Sequence, residues 1–546
     1  MEFNYRYAKS SSVASSPRES HLSFAPDTLR EPTFFSGELG KSLEFREAIS
    51  ALHDVVVSDL RWRPKDKTAY KAWLADQDLV DLEAVAATRK ELLARYHTLR
   101  QELDTLKAES AKRMEAFYRA RQKYFDYLYK RDHNAWLVFD PVITVHPDEI
   151  FFECFSRDES SYGRLSVDFD VFKSVKEQSP GTTNIDYSTD LYNEFQKLRT
   201  YKTTRFEIDP SGFDVETTFE EAYTEVKIDL PDSWVRGFLQ VNSAMSLPAV
   251  SFELHPMDIH NICFVLRRNK ELLGPRAMRY HLEPDRPVRI VFEPWETEVV
   301  CGRSVYTGSR PEEIRVWGRR RIHILERLIP LAKGFRVFLL GKGMPSFYVA
   351  DLGDMFFTLG LSGWTANDWS RAGNFDLLAP RANVDDLTKR RVFDALKASL
   401  FETPDNLAKK LGLDRSVVLG ALSAYTQAGR AIWDLNKQVY RLRELSREPL
   451  PMDALRFANE REASAASFLA KKQLQEFRAS LGRDGAVELT GSIKHNSRTY
   501  ATSLTIDRDE KIVAAKCQCN FYRQNRLRMG PCEHMLALRL KHGGQD

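Results

Sequence analysis

The chain has 546 residues, 43% hydrophobic and 29% charged, and its 80 basic and 77 acidic side chains leave a net charge of +3. That length accommodates several domains with cores of their own, while the near-neutral balance excludes a protein that holds polyanions by bulk charge; any nucleic-acid surface must be a local patch. Six cysteines, three of them scattered (Cys154, Cys263, Cys301) and three clustered (Cys517, Cys519, Cys532), fit the reduced thiols of a cytoplasmic protein better than a secreted disulfide scaffold.

In chain order, residues 1–40 are expected to be disordered. Ser10–Ser16 is a polar, low-complexity run, and Pro17, Pro26 and Pro32 interrupt any helix. No apolar signal segment stands in the first twenty residues, and no run of about 18 apolar residues predicts a membrane span.

Residues 41–135 are expected to form a helical arm. A short helical pattern covers Phe45–Leu60. The strongest periodicity follows in 79–131, where Leu92, Tyr96, Leu99, Leu103 and Leu106 are spaced 4, 3, 4, 3 and the seam resumes at Met114, Phe117, Arg121, Tyr124 and Leu128 after a stutter. With no Gly or Pro between Leu79 and Arg131, this predicts one long helix. It is either a coiled-coil arm through which two copies could dimerise, or a long helix packed on its own domain.

Residues 136–385 read as a mixed α/β body. Strands are expected at Trp136–Val145, Thr204–Ile208, Phe219–Leu230, Ala277–Leu282, Val288–Phe292, Thr297–Cys301, Arg336–Leu340, Phe347–Asp351 and Met355–Leu359. Helices are expected at Asp232–Met245, Met257–Lys270 and, strongly basic, Arg319–Ala332, with Gln178–Tyr187 a loop. Residues 386–446 read as a small module of three helices and a β-hairpin, the winged-helix pattern. Thr403-Pro404 starts the second helix, Gly412 ends it, and Asp414 is expected to cap the third, Arg415–Ala428. In 447–546 a helix, Ala454–Leu481, and three strands, Val487–Lys494, Thr499–Ile506 and Ile512–Lys516, lead into a zinc-finger-like end. The fold class expected is thus α+β and multidomain: helical arm, α/β body, winged-helix module, and C-terminal ββα finger.

The chemistry concentrates at that end. Cys517-Gln518-Cys519 closes a strand, and twelve residues later Cys532-Glu533-His534 opens an apolar helix. Three thiolates and an imidazole complete a tetrahedral structural zinc site and leave no coordination position for water, which argues against zinc hydrolysis. Cys-x-Cys…Cys-x-His resembles the SWIM zinc finger, over roughly the last 60 residues. The stretch from Arg319-Arg320-Arg321 through Gly343-Met344-Pro345 to Gly360-Leu361-Ser362-Gly363-Trp364 is also similar to the body of bacterial SWIM proteins. The resemblance implies a ββα zinc module that binds DNA or protein. It further implies possible partners among MoxR-type AAA+ ATPases and von Willebrand A-type proteins.

Lys511–Lys541 carries seven basic residues and one acidic, a net +6, with Phe521 and Tyr522 interleaved. Lys516, Arg523, Arg526 and Arg528 are candidate phosphate contacts there, and Arg415 and Lys437 are candidates in the winged-helix module. The cluster Arg319, Arg320 and Arg321 could meet a phosphate or an acidic partner. No phosphate loop, zincin, nucleophile-elbow or dinucleotide motif occurs. His255, Asp258 and His260 share no helix face well, and Trp364, Asn367, Asp368 and Trp369 form a polar-aromatic cluster without an assigned role. The expectation is a non-enzymatic zinc protein that engages nucleic acid, DNA first, or alternatively an adaptor subunit of an ATPase-driven bacterial assembly.

Overall fold

Short apolar runs that alternate with polar residues fold here as sheets, antiparallel except where Glu19–Phe24 pairs in parallel with Thr203–Ile208. The computed structural model describes residues mainly in 12–58, 141–208, 232–445 and 460–542, with shorter gaps inside those ranges. Residues Leu60–Val138 form a unit of their own. The long-helix expectation for 79–131, with its dimer seam, lies outside the described residues, Thr105 apart.

The centre of the body is an eight-stranded sheet. Its order is Val250–Leu254, Gly334–Leu339, Ser346–Asp351, Met355–Leu361, Ser161–Asp168, Glu149–Phe155, Val142–Val145, Gly181–Asn184. Every neighbouring pair is antiparallel. Glu149–Phe155 is buried along its whole length, which requires cover on both faces. On one face lies the helix Ser42–Val57, seated so closely that a Cβ on Gly163 would stand 3.0 Å from Val55 Cγ2. On the other, Phe155 and Tyr162 pack against Trp234 and Phe238 of the helix Asp232–Met245.

Two smaller sheets flank this core. One orders Ser12–Ser15, Glu19–Phe24, Thr203–Ile208, Phe34–Leu39 and Phe172–Ser179; the other orders Thr297–Val305, Pro287–Phe292, Ala277–Leu282 and Glu312–Trp317. The expected disorder of 1–40 is corrected by the first of them. Leu22, Phe24, Phe35 and Leu39 alternate into the core and are at most 2% exposed. The expected loop at Gln178–Tyr187 likewise contains the strand Gly181–Asn184.

The module in 386–446 runs helix Asp386–Ser399, strand Phe401–Glu402, helix Pro404–Leu411, helix Arg415–Gln427, and the hairpin Ala431–Asp434 with Val439–Leu442. The outer strand Phe401–Glu402 pairs with Val439–Leu442. Thr403 caps the second helix by accepting from Asn406 N, and Gly412 leaves it at φ +63°.

The C-terminal domain is a four-stranded sheet, in sequence order Leu474–Leu481, Val487–His495, Arg498–Ile506 and Ile512–Cys517. The helices Glu460–Ala470 and Glu533–His542 pack against it through Ala465, Phe468, Ile493, Leu536 and Ala537. The single helix expected over Ala454–Leu481 is corrected: it stops at Ala470, Lys472 takes φ +54°, and the chain leaves as a strand.

The fold class is corrected in the same sense. The described residues are predominantly β, in five sheets. Their longest helix is the 16-residue Ser42–Val57, so no long helical arm is among them, and the finger is a four-stranded sheet with helices rather than ββα. Short apolar runs look alike in helix and strand; cross-strand partners distant in sequence decide between them.

Candidate metal centre and basic surfaces

Each metal-ligand candidate is placed by the end of a regular element. The strand Ile512–Cys517 delivers Cys517, and Cys519 caps the short helix Asn520–Asn525, its Sγ accepting from Tyr522 N at 3.4 Å. Cys519 N donates to Cys517 Sγ at 3.5 Å, and Thr502 Oγ1 lies 3.3 Å from the same sulfur. Cys532 and His534 stand where the helix Glu533–His542 begins, and Cys532 O accepts from Leu536 N. All four side chains are buried, and their donor atoms lie within 4.8 Å of one another.

This arrangement fits a metal ion. Neither ring nitrogen of His534 makes a hydrogen bond although the residue is 1% exposed; Nδ1 lies 3.7 Å from Glu533, and a cation held with the three thiols would satisfy the ring. The thiols cannot ionise independently of one another. Hydrogen bonds from Cys519 and Cys532 hold Cys517 low, and the same contacts push Cys532 high. Phe468 stacks on the His534 ring at 5.5 Å, and Tyr500 lies 4.5 Å from it. Sequence reading missed Phe468, Tyr500 and Thr502. Strand alternation through Tyr500, Thr502 and Leu504 is the signal that places the latter pair on the metal side.

The basic candidates divide sharply. Lys516 and Arg523 are exposed. Arg526 is exposed and lies over the Tyr522 ring at 5.2 Å. Arg528 instead donates to Asn525 O and Gln524 O, and its side chain lies beside Gly343 of the body, so it is only half-exposed.

Of the module's two candidates, Lys437 is turned inward. Lys437 Nζ lies 3.0 Å from Asp148, 3.0 Å from Glu149 and 2.6 Å from Asp168, all in the body. Arg415 pairs with Asp405 at the surface, its side chain 41% exposed, while Val418–Ser423 and Thr426 of the same helix are buried and the helix packs against Asp232–Met245.

Lys437 belongs to a larger buried network that seats the hairpin on the central sheet. Asp434 accepts from Arg441 Nε at 2.8 Å and from Arg164 Nη2 at 3.1 Å; Arg164 also reaches Glu149 at 2.8 Å. Arg441 makes two further bonds to Asp148, at 2.8 and 2.9 Å. Burial opposes charging Asp148, but the Arg441 and Lys437 cations outweigh it and hold the carboxyl down to about 2. Burial lowers His146 to about 4; its Nε2 lies 2.7 Å from Leu442 O of the module.

The remaining candidates are structural. Arg319 donates to the carbonyls of Ala277 and Glu293 and lies over Trp295, and Arg321 donates to Ser160 O, so two of the three arginines are buried inside the body rather than offered to a phosphate. The helix expected there is a 3₁₀ segment, Arg319–Leu328. His255 caps its helix by accepting from Met257 N, and buried Asp258 accepts from Ser304 Oγ at 2.5 Å. Trp369 is fully buried and stacks on Phe347, while Trp364, Asn367 and Asp368 lie outside the described residues.

No family model matches this chain, and no curated protein does. Among solved structures, the proliferating cellular nuclear antigen of Entamoeba histolytica is similar at 13% identity, over 41% of this chain and 89% of that one. Its TM-score is 0.27, at which the overlay defines no shared fold.

Proposed function

We propose that the C-terminal domain holds one structural zinc ion and that the protein is a non-enzymatic nucleic-acid binder acting through this basic domain. The observation that carries the metal is the buried Cys517, Cys519, Cys532 and His534 set, whose donor atoms lie within 4.8 Å of one another. Three soft thiolates and one imidazole favour zinc among common divalent ions, and with four protein donors it serves as a cross-link between strand and helix. We read the motif as SWIM-type on its Cys-x-Cys…Cys-x-His spacing.

The nucleic-acid reading rests on the exposed basic side chains of this domain, Lys516, Arg523 and Arg526 among them. We read 386–446 as a winged helix from its element order, but as a module for docking, because its third helix and hairpin already face the body. None of the six cysteines forms a disulfide, which suits a reducing compartment such as the cytoplasm. No described helix is long and apolar enough to cross a membrane.

The test is metal content of the purified chain together with binding to duplex DNA at low and high salt. One zinc per chain, with affinity that collapses at high salt, is the expected result. One zinc without nucleic-acid binding would transfer the reading to the adaptor of an ATPase-driven assembly, the alternative favoured by a module built for protein contact.

A further inference from the structure

The sheet of the C-terminal domain has one covered and one open face. Its helices and metal donors lie on the side of Leu489, Ile493, Leu504 and Cys517. Pairing register fixes what the opposite side carries. Arg478 stands across from Thr490, Thr490 across from Ser503, and Ser503 across from Lys516. Four residues, one from each strand, thus form a single row with a cation at each end and two hydroxyls between. Ser492 and Lys494 continue the same face on the second strand, because side chains two residues apart share a side. Thr505, paired with Glu488, lies on the other flank of the row.

Arg478, Lys494 and Lys516 are exposed, and among the described residues none of them has a carboxylate partner within ion-pair distance. That contrasts with Lys437, Arg164 and Arg441, whose charges are spent inside the protein. Across three strand spacings of about 4.8 Å the row spans about 14 Å, close to the roughly 12 Å width of a B-form major groove. No aromatic side chain stands in the row, and Tyr500 points to the metal side against His534. A face that bound single strands would use aromatic rings on which bases stack; this one offers cations and hydroxyls, the groups that contact phosphate and sugar, with one exposed carboxylate, Glu488, beside the row.

We infer that this open face, and not the loop between the two ligand pairs, is the surface that binds nucleic acid, taking the phosphate backbone of a duplex without reading its sequence. The inference rests on the nucleic-acid reading above and narrows it to one surface and one ligand form. The two terminal cations reach phosphates on the strands that bound a groove, while Thr490 and Ser503 hydrogen-bond between them. The zinc stiffens the sheet from behind, since Cys517 ends the strand that carries Lys516.

The experiment uses the full chain and a fluorescein-labelled mixed-sequence 30-base-pair DNA duplex, with anisotropy followed from low to high salt. The triple variant Arg478→Gln, Lys494→Gln, Lys516→Gln is compared with the loop variant Arg523→Gln, Arg526→Gln. Each lost phosphate contact lowers the slope of log affinity against log salt by about 0.9, so the triple variant is expected to lose about 2.7 from the slope and at least tenfold in affinity. The loop variant should keep the wild-type slope. Zinc content and far-UV circular dichroism equal to wild type confirm that both variants are folded. An unchanged slope in the triple variant with a reduced one in the loop variant overturns the inference and leaves the nucleic-acid reading standing. A wild-type chain that binds no duplex overturns both. Binding to an oligo(dT) single strand at least as tight as to the duplex would also refute the backbone-of-a-duplex assignment.

Discussion

Asp434→Asn probes the network that seats the module on the body. Asp434 is 2% exposed and accepts from two guanidinium groups and from the backbone N–H groups of Asn436 and Lys437, at 2.9 and 3.0 Å. Asparagine keeps the volume and one carbonyl oxygen for the backbone bonds. It removes the charge and can turn an NH₂ toward Arg164 or Arg441. Taking one partner from a buried ionic cluster costs about 3–5 kcal/mol. Glu149 remains 2.8 Å from Arg164 and 3.3 Å from Arg441, so the lower end, about 3 kcal/mol, is expected. Urea unfolding followed by circular dichroism measures it, and limited proteolysis reports whether 386–446 is released first. A second arm, Arg441→Met alone and combined with Asp434→Asn, should show non-additive losses, with a coupling of about 1–3 kcal/mol. A single-variant loss below about 1 kcal/mol, or strictly additive losses, would mean that packing and not the ionic cluster holds the module.

Three further outcomes follow from the same reasoning. Cys532→Ala with His534→Ala should abolish metal binding and disorder the C-terminal sheet while the body keeps its melting transition; loss of metal with unchanged circular dichroism would show that the site is not structural. His146 is held neutral at about 4 by burial, so the unfolded chain takes up the proton first and stability falls as pH drops from about 6.5 toward 4. Between pH 7 and pH 5 its share is about 2 kcal/mol, and His146→Gln should flatten the pH slope of urea stability by that amount; His53, also lowered to about 4, keeps part of the slope in both proteins. Gly163→Ala should cost about 1–3 kcal/mol by overpacking, because Val55, Leu52 and Cys154 crowd the position within 3.3 Å; a neutral result in thermal melting would show that the helix Ser42–Val57 can move away.

The Cys/His cluster was readable from the chain alone, because its spacing is local: one residue between Cys517 and Cys519, one between Cys532 and His534, each pair at the end of one element. The module's caps and stops at Thr403, Pro404 and Gly412 were readable for the same reason, since a helix end is satisfied within a turn of itself. Sheet assignment was not local. Leu22 and Phe24 became core because Thr203–Ile208 lies beside them, some 180 residues away in the chain. Nor could the sequence sort the cations. Lys437, Arg319 and Lys516 carry similar side chains, yet Lys437 meets three carboxylates, Arg319 two carbonyls, and Lys516 solvent. A charge reports its sign in sequence, whereas its availability depends on what distant strands place against it, and only the tertiary structure decides that.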